Sequence, residues 1–101
     1  NGSKLIFKKT KGMGIALDFL KDKKLIISNR KGGEFFKPDS KRPTKKIKQL
    51  FQESDLPPWE REKFPLIFAD KDLICLPGFG VENKCQAKST KVGIEVKWEI
   101  N

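Results

Sequence analysis

The sequence predicts an α+β domain: short strands in antiparallel or mixed sheets, one main amphipathic helix near residues 43–53, and a short helical turn near 58–63. Three observations predict it. Val92, Ile94, Val96, Trp98 and Ile100 alternate with Lys91, Gly93, Glu95, Lys97 and Glu99, the period of two of a strand with one dry and one wet face. Ile47, Leu50 and Phe51 fall at i, i+3 and i+4, an apolar helix stripe. Leu66-Ile67-Phe68 and Leu73-Ile74-Cys75-Leu76 are unbroken apolar runs on either side of Asp70-Lys71-Asp72, as strands buried on both faces would be.

From the start, Leu5-Ile6-Phe7 is a strand candidate. Glycines break the chain at Lys11-Gly12-Met13-Gly14, and Ile15-Ala16-Leu17-Asp18-Phe19 fits strand or helix. Leu25-Ile26-Ile27 reads as a strand leading into Asn29-Arg30-Lys31-Gly32-Gly33-Glu34, where paired glycines permit a tight turn or a close backbone approach. Phe35-Phe36 resumes the apolar chain. Ser40 and Thr44 can each cap the main helix, and Pro43 is tolerated in a first turn. On this reading Lys45, Lys48 and Gln52 line the face opposite Ile47. Asp55 to Pro58 ends the helix, Trp59 opens the short turn, and Pro77-Gly78-Phe79-Gly80 makes another.

A length of 101 residues suits one compact domain. The chain starts Asn1-Gly2-Ser3 without an initiator Met, which reads as an excised domain with residues 1–3 as a candidate remnant. No apolar run reaches the roughly 20 residues of a membrane span. The net charge of +9 points to a polyanion, nucleic acid before an anionic membrane, with a merely solvated basic surface as the plain alternative. Two cysteines, Cys75 and Cys85, give no metal spacing; Cys75 reads as a small buried hydrophobe, and a Cys75–Cys85 disulfide is the alternative. A reducing cytoplasm is the expected compartment.

The sequence contains no histidine and no phosphate-binding GxxxxGK[ST] motif, and Asp70 with Asp72 reads as a solvated hairpin rather than a catalytic pair. Charge is instead concentrated: residues 37–48 hold Lys37, Lys41, Arg42, Lys45, Lys46 and Lys48 against Asp39, leaving +5. Lysines in a first helical turn oppose the helix dipole, so Lys45 and Lys46 are expected to form a phosphate seat there. The competing reading is that their stems cover apolar surface while the ammoniums sit in water. Phe35, Phe36, Phe51, Phe64 and Phe68 read as core. Trp59 either anchors the Pro-Pro corner or, with Phe79, is exposed. Cations without stacking platforms suit the phosphates of a folded duplex.

Arg30-Lys31-Gly32-Gly33-Glu34, Lys45-Lys46-Ile47-Lys48-Gln49-Leu50-Phe51-Gln52-Glu53, Leu56-Pro57-Pro58-Trp59-Glu60-Arg61, Phe64-Pro65-Leu66 and Leu76-Pro77-Gly78-Phe79-Gly80-Val81 follow one another in an order and spacing that resemble the C-terminal domain of bacterial tRNA(Ile)-lysidine synthetase. The resemblance covers about residues 25–83. It implies a sandwich-like, three-layer arrangement similar to a domain of phenylalanyl-tRNA synthetase β chains. It implies a parent ligase that uses ATP, with Mg, to attach lysine to the wobble cytidine of the isoleucine tRNA with a CAU anticodon. That chemistry belongs to an N-terminal PP-loop ATPase domain, whose SGGxDS-type motif does not occur in these 101 residues. No catalytic residue, cofactor or metal is expected in this fragment; its expected part is to hold the tRNA towards the acceptor stem. Where the family often has arginines after the glycine pair, this chain has Phe35 and Lys37; lysine keeps the charge without arginine's bidentate fork.

The expected phosphate contacts are Arg30, Lys37, Lys41, Arg42, Lys45, Lys46, Lys48 and Arg61, with Gly32 and Gly33 letting the loop approach the RNA backbone. The glycines serve equally as plain turn formers, and Arg61 as a partner of Glu60, Glu62 or a helix carbonyl. The alternative function is a protein–protein module, docking onto other domains of the parent or forming a homodimer through it, with Trp59, Phe79 and the Pro-Pro corner as the contact.

Overall fold

The computed structural model describes residues 3–29, 35–37 and 43–100. The strands are β1 (Ser3–Lys11), β2 (Ile15–Ala16), β3 (Leu25–Asn29), β4 (Phe35–Phe36), β5 (Lys45–Lys46), β6 (Pro65–Ala69), β7 (Asp72–Leu76), β8 (Gly80–Val81) and β9 (Val92–Ile100). The helices are α1 (Leu17–Leu20), α2 (Ile47–Glu53) and α3 (Pro58–Arg61), with a 3-10 turn at Asn83–Cys85. Strand order is β1-β9-β2 in one sheet, β3-β6-β7-β8 in a second and β4-β5 in a third. Every described pairing is antiparallel, so the α+β expectation is met and its antiparallel branch is the one realised.

The four-stranded sheet lies in the middle because its central strands β6 and β7 are buried on both faces, while edge strand β3 leaves Leu25, Ile26 and Ile27 exposed. On one side Ile67, Ala69, Ile74 and Cys75 pack with Ile15, Cys85 and Val96, joined by Phe19 and Leu20 of α1. On the other, Leu66 and Leu76 pack with Phe36, Ile47, Phe51 and Phe64. Two cores on opposite faces of one sheet make three layers. Four aromatic rings bind the second core: Phe51 lies 4.9 Å from Phe64 and 5.5 Å from Phe79, and Phe64 lies 5.0 Å from Trp98. Tilted and edge-on pairs such as these suit the ring quadrupoles. Phe79, read from sequence as a candidate exposed residue, is therefore a core partner.

Residues 15–19 turn out to be both of the forms they fit, two residues of strand and then helix. The glycine break before them is a crossover. β1 runs along one edge of β9, with Lys11 opposite Val92, and β2 takes the other edge, with Ile15 opposite Ile94. Met13 crosses over Gly93, which is buried despite its place on the predicted wet face of β9. Gly12 and Gly14 turn the chain at φ of +76° and +79°, a region costly for other residues.

The Asp70-Lys71 turn is structural. The Lys24 N–H donates to Asp70 Oδ1 at 3.0 Å, and the Asp70 N–H donates to the Lys24 carbonyl at 2.8 Å. Cys75 and Cys85 are free and buried. Burial pushes their thiols up, to about 12 and about 11, so both stay protonated and inert.

Candidate nucleic-acid interface

The stripe of α2 is as expected: Ile47 and Phe51 are buried and Leu50 half-buried. Its start is not. The helix begins at Ile47 rather than near residue 43, because β4 claims the two lysines before it, Phe35 opposite Lys46 and Phe36 opposite Lys45. Lys46 is the N-cap residue in extended conformation, without a side-chain cap. The first helical turn thus contains Lys48 but neither Lys45 nor Lys46, and the phosphate seat expected there is replaced by a strand-to-helix corner.

Lys45 also departs from expectation. Its Nζ donates to both carboxylate oxygens of Glu53 at 3.0 and 3.1 Å, reaching along α2 to the far end, where Gln49 Nε2 supports the same carboxylate at 3.4 Å. A cation so matched is a weak phosphate ligand. Lys46 and Lys48 are exposed. The described residues form two ion pairs, Lys45–Glu53 and, on the β1–β9 sheet, Lys4–Glu99 at 3.7 Å, so neither Lys46 nor Lys48 has a carboxylate partner among them.

Lys37 is fixed by its backbone. Its N–H donates to Glu82 Oε2 at 2.8 Å and its carbonyl accepts from the Asn83 N–H at 2.8 Å. Arg61 Nε donates to the Leu56 carbonyl at 2.6 Å, which ties the end of α3 to the Pro-Pro corner; the acceptor is a loop carbonyl between α2 and α3 rather than the helix carbonyl, Glu60 or Glu62 that the sequence offered. Arg30, Gly32, Gly33, Lys41 and Arg42 lie outside the described residues.

Phe35, expected in the core, is corrected, and Trp59 takes the exposed one of its two alternatives. Phe35 is 55% exposed and Trp59 69% exposed. Adjacent residues of a strand face opposite ways, so Phe36 enters the core and Phe35 cannot. Trp59 follows Pro58 on the outside of a helix with no buried residue. The strand expected around Leu5-Ile6-Phe7 also carries lysines that were not among the expected contacts: Lys4, Lys8, Lys9 and Lys11 of β1 are all exposed. Four lysines within nine residues were signal enough, although Lys4 pairs with Glu99 and Lys8 faces Glu95 across the ladder. A cleft of about 620 Å³ runs between β9 and the Leu76–Gly80 turn. Its walls are mainly apolar side chains and backbone. Among the described residues no group of three His, Cys, Asp or Glu could hold a metal ion, and no helix is long and apolar enough to cross a membrane.

A family model described as the TilS substrate C-terminal domain matches residues 25–98. The chain belongs to that family. The tRNA(Ile)-lysidine synthase of Nitrosomonas europaea is 36% identical over 94 residues, which cover 93% of this chain and 20% of that protein. The enzyme of the same name from Coxiella burnetii is 34% identical over 93 residues, 92% of this chain and 20% of that protein. This TilS C-terminal domain therefore spans roughly a fifth of the length of such relatives. A solved structure described as the crystal structure of a TilS C-terminal domain superposes with a TM-score of 0.73 over 98% of this chain and 85% of that one, at 18% identity. That likeness shows a shared fold, in line with the predicted α+β class.

Proposed function

We propose that this domain grips the sugar-phosphate backbone of a tRNA, on the acceptor-stem side, for a parent enzyme that modifies the wobble cytidine of isoleucine tRNA with ATP and Mg in a separate catalytic domain. The relatives are named for tRNA(Ile), and a basic corner is what a phosphate-reading domain requires. The observation that carries the reading is the β5–α2 corner, where exposed Lys46 and Lys48 stand two residues apart with no carboxylate partner among the described residues. Both project from a backbone held by the buried side chains of Phe36, Ile47 and Phe51, so the charges are presented from a rigid base.

Ammonium groups of this kind neutralise phosphates without selecting bases. Discrimination among tRNAs would come from helix shape and from unpaired nucleotides. Lys37 is a further candidate contact, on a backbone pinned to Glu82 and Asn83. Lys45 and Arg61 act chiefly inside the protein, one on Glu53 and the other on Leu56.

Double charge reversal, Lys46→Glu with Lys48→Glu, tests the reading. The variant should fold normally, because both side chains are exposed and neither ammonium is paired with a carboxylate among the described residues, and its affinity for tRNA at low salt should fall on the order of tenfold to a hundredfold. Electrophoretic mobility shift or fluorescence anisotropy with an isoleucine tRNA reads the loss. Unchanged affinity would remove the corner from RNA binding. It would return the domain to the docking alternative, for which exposed Trp59 is the remaining support after Phe79 proved to be core.

A further inference from the structure

An aromatic ring left more than half in water forgoes burial worth about 1.5–3 kcal/mol. Phe35 does so at 55% exposure while its neighbour Phe36 is 1% exposed. The ring is not on a loose support. Phe36 and Ile47, the residues immediately after Phe35 and Lys46 in the chain, are both locked in one core, and the β4–β5 ladder pairs Phe35 with Lys46 between them. The Lys46 ammonium lies 5.9 Å from the centroid of the Phe35 ring, within range of a cation–π contact.

An anchored ring with a cation at its face complements one nucleotide: a base to stack and a phosphate to neutralise. Bases inside a duplex cannot offer their faces, whereas unpaired nucleotides can. We infer that Phe35 and Lys46 form a stacking platform for an unpaired nucleobase adjoining the duplex, with Lys46 taking the neighbouring phosphate. The inference rests on the proposed tRNA-binding function and adds to it: besides holding a duplex by its phosphates, the domain registers the place where the duplex ends. The +5 charge of residues 37–48, which follow Phe35 in the chain, matches a polyanion rather than an apolar partner.

The test compares two RNA hairpins with the same acceptor-type duplex, one blunt and one with an unpaired 3′ tail, by fluorescence anisotropy at fixed salt. The tail should strengthen binding to the wild-type chain roughly tenfold. In Phe35→Ala the affinities for the two RNAs should converge. Phe35→Tyr should keep them apart, and Phe35→Leu, apolar but without a π face, should not. Thermal melting by circular dichroism checks that each variant is folded. Equal wild-type affinity for the two RNAs overturns the platform and leaves the phosphate-grip reading standing, provided that binding is salt-dependent. An undiminished separation in Phe35→Ala overturns it as well. If the wild-type chain binds neither RNA, the proposed function fails and the platform falls with it.

Discussion

Gly93→Ala is expected to lower the melting temperature by roughly 12–24 °C, from a cost of about 3 kcal/mol and the usual sensitivity of a domain of this size. A Cβ at position 93 would stand 1.9 Å from the Met13 carbonyl oxygen and 2.8 Å from the Ala87 Cβ. The first contact is with backbone, so no side chain can rotate away to relieve it. Met13 cannot easily lift, because it sits between Gly12 and Gly14, both at positive φ and both hemmed in by backbone: their own Cβ positions would lie 2.4 Å from the Ser89 carbonyl oxygen and 2.5 Å from the Ile94 carbonyl oxygen. The crossover therefore yields by losing the β2 pairing or by bending β9, the central strand of its sheet. Differential scanning calorimetry measures the effect, and a shift below about 2 °C would show that the close approach at Met13 is not a constraint.

Phe51→Ala is expected to cost about 3–5 kcal/mol, the range for emptying an aromatic core site. That is a large part of the roughly 5–15 kcal/mol that holds a domain together. Phe51 is 0% exposed and touches the rings of Phe64 and Phe79, so its removal leaves a cavity at the meeting point of α2, the segment before β6 and the turn before β8. The urea midpoint should fall by roughly 2 M. Phe35→Ala, which removes the same side chain from an exposed position, should move it little. Equal losses in the two variants would mean that the burial assigned to these phenylalanines is wrong.

What was legible in the sequence was periodic. The alternation over residues 92–100 and the stripe Ile47, Leu50, Phe51 are local patterns; both marked real elements, although the helix starts at Ile47 rather than near 43 and the strand's first residues, exposed Val92 and buried Gly93, depart from the alternation. The twin apolar runs foretold a middle sheet buried on both faces, because side chains that are apolar in unbroken succession have no wet side. What failed depended on partners distant in the chain. Pro43, Thr44 and the following lysines look like a helix entrance by propensity, but pairing with Phe35 and Phe36 holds Lys45 and Lys46 extended. Glu53 could not be assigned to Lys45 without knowing that Lys45 lies outside the helix. Gly93 looked like a wet-face residue until the crossover placed Met13 on top of it. Phe35 was misread although the signal was present: two adjacent phenylalanines in a strand cannot share one core.

The candidate site was legible as a charged segment and not as a geometry. The sequence located positive charge near α2, but the arrangement differs from a helix dipole seat. Among the described residues Lys46 and Lys48 have no carboxylate partner, whereas Lys45 is paired with Glu53. Ladder pairing with Phe35 and Phe36, rather than a helical first turn, sets the backbone at Lys45 and Lys46, while Lys48 lies in the first turn of α2.

The most direct measurement of the central claim is the dissociation constant for isoleucine tRNA across a salt series, for the wild-type chain and for Lys46→Glu with Lys48→Glu. If about four phosphates are neutralised, log K should fall against log salt with a slope of roughly −3 to −4 in the wild type, and the slope should flatten by about two in the variant. A wild-type slope near zero, or the same slope in both proteins, would contradict the phosphate grip.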